Sequence, residues 1–91
     1  MIVVDASALL AIYLNEPERA QFLAQITAAP AALISPVNAW ESLARAHALD
    51  GEPGRARMAD LMTALDLTVP ACTLSDTEAA VTAFARYGRR S

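Results

Sequence analysis

Two carboxylates stand where a reaction could use them. Asp5 ends an apolar run, Ile2-Val3-Val4, and an Ala/Leu helical pattern begins directly after it. A run without polar alternation reads as a short strand buried on both faces of a parallel sheet. Asp5 then lies at the carboxyl end of that strand, where open α/β sheets bind ligands. Asp is also a good helix N-cap, so the position has a purely structural use as well. Glu41 lies one to two turns into a later helical segment. Spacings of four and three residues place Val37, Glu41, Ala44 and Ala48 on one face, so a carboxylate interrupts an apolar stripe. The plainer alternative puts Glu41 at the margin of that stripe, reaching water beside Arg45. Two acids converging in a crevice repel each other unless protonated or neutralised by a cation. Hard oxygen donors without His or Cys favour Mg²⁺ or Mn²⁺. Such an ion commonly meets phosphates, so the chemistry indicated is metal-assisted phosphodiester hydrolysis.

The elements that must position these acids follow from pattern. Residues 6–14 read as a helix with Leu9, Leu10 and Tyr13 as bulky positions, stopped by Asn15-Glu16-Pro17. Pro17 suits the first turn of a second helix, whose apolar side is Phe22, Leu23 and Ile26. Residues 31–34 form a second short apolar run. Ser35-Pro36 starts a helix, Ser as N-cap and Pro at N1, and Asp50-Gly51 ends it. Residues 51–54 read as a loop, and 55–65 as a further helix with Met58, Leu61, Met62 and Leu65 as core. Residues 67–69 resemble a third strand. Ser75-Asp76-Thr77-Glu78 is a capping box opening a last helix, which gives Asp76 a structural role in its first turn. Strands alternating with helices imply an α/β fold with a parallel sheet, runs 2–4, 31–34 and 67–69 being its strands. Strand one is expected either between the other two or at an exposed edge. An unpaired apolar edge invites association, so a homodimer or a bound partner is expected.

Composition narrows the function classes. The chain has 91 residues, 55% hydrophobic and 19% charged, which describes one globular domain. A net charge of −3 excludes gripping nucleic acid by charge alone, although cations can bridge carboxylates to phosphate. Basic residues do gather at Arg86, Arg89 and Arg90. The apolar runs fall short of the ~18 residues of a membrane span, and no basic segment precedes the first one, so neither a membrane anchor nor a signal peptide is expected. The lone Cys72 reads as a small buried hydrophobe and fits a reducing, cytoplasmic setting. His47 has no partner at ligand spacing, so no zinc site is indicated.

These residues carry a resemblance. The segment Val4-Asp5-Ala6-Ser7-Ala8-Leu9-Leu10 resembles the opening of PIN-domain proteins, and Ile34-Ser35-Pro36-Val37-Asn38-Ala39-Trp40-Glu41 resembles their second motif. The whole chain, up to Ala83-Phe84-Ala85-Arg86-Tyr87-Gly88-Arg89, is similar to the VapC toxins of bacterial toxin–antitoxin pairs. The resemblance implies a PIN-like three-layer fold and a Mg²⁺-dependent endoribonuclease, held inactive by an antitoxin whose tail covers the acidic crevice. It makes Asp5 and Glu41 the catalytic, metal-binding acids and Ser7 a hydroxyl supporting the first of them. The family carries a third acid in an Asn-x-Gly-Asp context beyond the last helix here. The expectation is therefore that residues 1–91 form a single PIN-like domain incomplete at its C-terminus, lacking the last strands.

Two further functions compete. One is a truncated, weakly active or inactive remnant that binds an antitoxin or another partner. The other is a phosphate-signalling α/β domain with Asp5 as acceptor, which would want more acids near strand one and a late lysine. The chain contains no lysine, and this reading ranks last.

Overall fold

The first two apolar runs pair as parallel strands in the computed structural model, which describes residues 1–70. The element order is β1 (Ile2–Val4), α1 (Ala6–Tyr13), α2 (Arg19–Ala28), β2 (Ala32–Ile34) and α3 (Pro36–Ala64). The register sets Ile2 opposite Ala32, Val3 opposite Leu33 and Val4 opposite Ile34. This is the α/β architecture with a parallel sheet that the sequence predicts. The capping box at 75–78, the last helix, Cys72, Asp76 and the terminal arginines lie outside the described residues.

Side chains alternate across a strand, so Val4, Ala32 and Ile34 share one face with Ile2. That face meets Leu9, Leu10 and Ile12 of α1, Ile26 of α2, and Ala39, Ala46 and Met58 of α3 in one core cluster. Val3 points the other way and is 67% exposed. The expectation that the first strand is buried on both faces is therefore corrected. The third run contributes a single parallel bridge, Leu33 with Thr68. Asp66, at φ 55°, turns the chain just before it, and Pro70 has no N–H to extend a ladder. The strand order among the described residues is β1, β2, then Thr68, which leaves β1 at an edge.

Each helix has a local cause. Asp5 and Ser35 cap α1 and α3, and Pro36 occupies the first turn of α3, where its missing N–H costs nothing. At the end of α1, Asn15 takes φ 55° and Arg19 donates from Nη1 to the Ile12 carbonyl at 2.8 Å. Asn tolerates that left-handed backbone better than most residues. The helix breaks at Gly51, where the sequence ends it, but residues 52–54 are helical, against the expected loop. Gly51, at φ 69° and ψ −158°, kinks α3, and Pro53 falls in the first turn after the kink. A proline there gives up no hydrogen bond that a helix start could make.

The buried face of α3 also differs from the expected one. Ala39, Ser42 and Ala46 are buried, whereas Val37 is 67% exposed and Ala48 is exposed. Small side chains let α3 approach α1 closely, and Glu41 is left at the margin of that contact, half-buried. The same closeness recurs after the kink at Gly54, which is buried. A Cβ there would strike the Ala46 carbonyl oxygen and come to 2.6 Å from Asp50 Cβ and 2.8 Å from the Tyr13 hydroxyl oxygen. Gly54→Ala should therefore destabilise the fold by ~1–3 kcal/mol, the usual cost of overpacking. Urea denaturation checks this, and an unchanged midpoint would contradict the close approach.

Candidate active site at the end of strand β1

Asp5 leaves the sheet in extended conformation, at φ −104° and ψ 170°, and its side chain turns back over the start of α1. Oδ1 accepts from the Ala8 N–H at 2.9 Å and from the Ser7 hydroxyl at 2.9 Å. Both bonds fall on one oxygen, so among the described residues Oδ2 has no hydrogen-bond partner and Asp5 stays exposed. Asp5 is thus a helix cap and an available carboxylate together. Ser7 fixes its orientation.

Glu41 projects from α3 at the margin of its packed face, its side chain 43% exposed, with Oε2 3.6 Å from Arg45 Nη1. An exposed pair of this kind, spaced four residues apart, contributes at most a few tenths of a kcal/mol. Neither partner is locked in place. Ser7, Glu41 and Arg45 line one cleft of about 450 Å³ between α1 and α3, with Leu10, Leu14 and Leu49 on its wall. Asp5 instead faces a smaller cleft of about 190 Å³ along β1 and α2. Ser7 joins the two, since it donates to Asp5 and lines the cleft of Glu41. The structure thus bonds Ser7 directly to Asp5 and brings Ser7 and Glu41 to one cavity.

Two further groups of side chains tie α1 to α3. At the N-terminal end, Asn38 Oδ1 accepts from the Ala6 N–H at 3.1 Å while Asn38 Nδ2 donates to Ser35 Oγ at 3.1 Å. At the other end, the Tyr13 hydroxyl donates to Asp50 Oδ2 at 2.6 Å, and Arg57 approaches both at 3.2 and 3.4 Å. The hydrogen bond to Asp50 holds the Tyr13 phenol above its ordinary pKa. Sequence reading missed both groups. Asn38 had one legible sign, an amide three residues after an N-cap serine, but its partner is 32 residues away.

Among the described residues, the donors around this junction are carboxylate and hydroxyl oxygens, with no thiol or imidazole among them. That set suits Mg²⁺, which keeps several waters and is bound through one or two carboxylates plus substrate phosphates. Among the described residues, no group of three or more His, Cys, Asp or Glu side chains could hold a metal.

The protein-family model for the PIN domain matches residues 2–91 of the chain. No curated protein matches it.

The double use of Asp5 has a measurable consequence for folding. Asp5→Ala removes the α1 cap and should cost about 1 kcal/mol, whereas Asp5→Asn keeps an acceptor at Oδ1 and should change stability by less than about 0.5 kcal/mol. Thermal and urea denaturation of both variants test this. Equal losses would show that the cap hydrogen bond does not hold α1.

Proposed function

This chain belongs to the PIN-domain family, and we propose that it is a Mg²⁺-dependent endoribonuclease of the VapC toxin type, with Asp5 and Glu41 as its catalytic and metal-binding acids and Ser7 supporting Asp5. Family membership carries a nuclease-type function; the single observation that carries the finer reading is the link through Ser7. Its hydroxyl orients Asp5 and opens on the cleft that Glu41 lines.

The reaction is hydrolysis of an RNA phosphodiester. A water oxygen bonds to phosphorus, one P–O ester bond breaks, and the leaving oxygen takes a proton. Mg²⁺, or Mn²⁺, when bound would polarise the phosphoryl oxygens and lower the pKa of a water. Asp5 and Glu41 provide fixed negative oxygens to hold that ion. The Ser7 hydroxyl keeps Oδ1 of Asp5 occupied, which presents Oδ2 outward. Arg45 balances Glu41 in the free protein through a weak, exposed pair, and its guanidinium can instead hold an RNA phosphate.

The further parts of the proposal are a cognate antitoxin covering the cleft, a homodimer, and a cytoplasmic setting. The exposed Val3 on the β1 edge supports association. No helix among the described residues is long and apolar enough to cross a membrane. The alternative is a weakly active or inactive module that binds an antitoxin or another partner through the same cleft. The exposed Leu14 and Leu49 on its wall favour it.

Cleavage of a single-stranded RNA by the full chain, with Mg²⁺ or Mn²⁺, separates the two. The nuclease reading expects metal-dependent cutting that falls by at least about 100-fold in Asp5→Asn, since the isosteric change removes charge and spares the fold. A variant cutting at the wild-type rate would remove Asp5 from the chemistry. A wild-type chain that does not cut would favour the binding module.

A further inference from the structure

We propose that Asn38 is a positioning residue: its side-chain amide pins the first peptide unit of α1 to the first turn of α3 and so sets the spacing between Asp5 and Glu41. The inference rests on the reading of those two acids as one metal site.

The placement argues for more than general packing. The Ala6 N–H is one of the orphan donors at the start of α1 and follows Asp5 in the chain. Asp5 itself satisfies the Ala8 N–H, two residues on, so it does not cap Ala6. Asn38 supplies that acceptor from another element, at 3.1 Å. The amide is itself held at both ends of its function. Its Nδ2 donates to Ser35 Oγ at 3.1 Å, and its backbone N–H donates to the same oxygen at 3.1 Å. The bond from Ser42 Oγ to the Asn38 carbonyl, at 2.8 Å, keeps this turn closed on its buried side. Glu41 lies three residues beyond Asn38, one turn along the same side of α3. The path from one acid to the other is therefore short and stiff: Asp5, the Ala6 peptide, the Asn38 amide, and one helical turn to Glu41. Ser7 and the Ala8 N–H hold the Asp5 side chain to α1 alone, and the ion pair of Glu41 is a weak one, so neither contact fixes the spacing between the two acids.

An aspartate at position 38 would keep the acceptor for Ala6 while Ser35 turned its hydroxyl to donate. An alanine would lose the link and leave Ser35 capping α3 through the backbone N–H. The two variants thus separate the pin from the fold around it.

The test uses the full chain and Mn²⁺ alone as probe. Paramagnetic broadening of backbone amide signals reports whether one ion lies near both Ser7 and Glu41, and a titration gives its affinity. In the wild type, one Mn²⁺ should broaden both signals together. In Asn38→Ala, binding should weaken by about 10-fold or more, with the two signals no longer broadening in step, and the Ala6 amide should lose protection from hydrogen exchange. Asn38→Asp should restore protection and joint broadening. On RNA, Asn38→Ala should lower kcat by about 10- to 100-fold with KM changed less than about 3-fold, the pattern of misplaced groups. Unchanged Mn²⁺ affinity and joint broadening in Asn38→Ala would overturn the positioning role while leaving the two-acid site standing. Equal impairment of the alanine and aspartate variants would also overturn it. Wild-type protein in which Mn²⁺ broadens neither signal would overturn the two-acid site and the pin with it.

Discussion

The register of β1 on β2 is the constraint from which the rest of the arrangement follows. With Val4 opposite Ile34, Asp5 and Ser35 leave the sheet side by side and in the same direction. Each is the N-cap of the helix that follows, so α1 and α3 begin together at one end of the sheet. A slip of β1 by one residue would turn Val4 out of the core and part the two helix starts. Strands of three residues are too short to hold that register by their own ladder. It is held instead by what the helices bury: Leu9 and Ile12 of α1 and Ala46 and Met58 of α3 close over the strands.

The helix pair is then fixed by polar contacts at its two ends, with small residues between. Asn38 joins the helix starts, and Tyr13 with Asp50 and Arg57 joins the end of α1 to the kink of α3. Between them Ala39, Ser42 and Ala46 keep the axes close, and Gly54 continues that closeness past the kink. The side chains proposed to act lie at the border of this rigid unit rather than inside it. Asp5, Ser7 and Glu41 keep contact with water, as the proposed exchange between solvent, a cation and a phosphate requires. A buried carboxylate would be driven toward its neutral form and would lose that use.

Much of this was legible in sequence, and the misses have particular causes. The strand-to-helix transition at Asp5 and the Ser-Pro start of α3 are local signals, and both hold. The stripe of Val37, Glu41, Ala44 and Ala48 misled because periodicity identifies faces without saying which one is buried. A helix that packs closely on its neighbour buries Ala and Ser, residues that hydropathy ranks low. The burial of Val3 was misjudged because a continuous apolar run does not tell whether one or both faces of the strand are covered. The break at Gly51 was legible, but residues 52–54 misled because Gly and Pro mark a kink as readily as a loop. Asn38, Tyr13 and Arg57 were invisible for a different reason. Their partners are 32 to 44 residues away, and such pairs exist only once the register has brought the helices together.

The central claim is that Asp5 and Glu41 act as one site. A double-mutant cycle on the rate of metal-dependent RNA cleavage, with Asp5→Asn, Glu41→Gln and the two combined, tests it most directly. Groups that serve one ion are grossly non-additive, because removing either already disables the unit. The account predicts that the double variant cuts no more than about 3-fold slower than the slower single variant. Losses that multiply across the two positions would show that the acids act independently, and would contradict it.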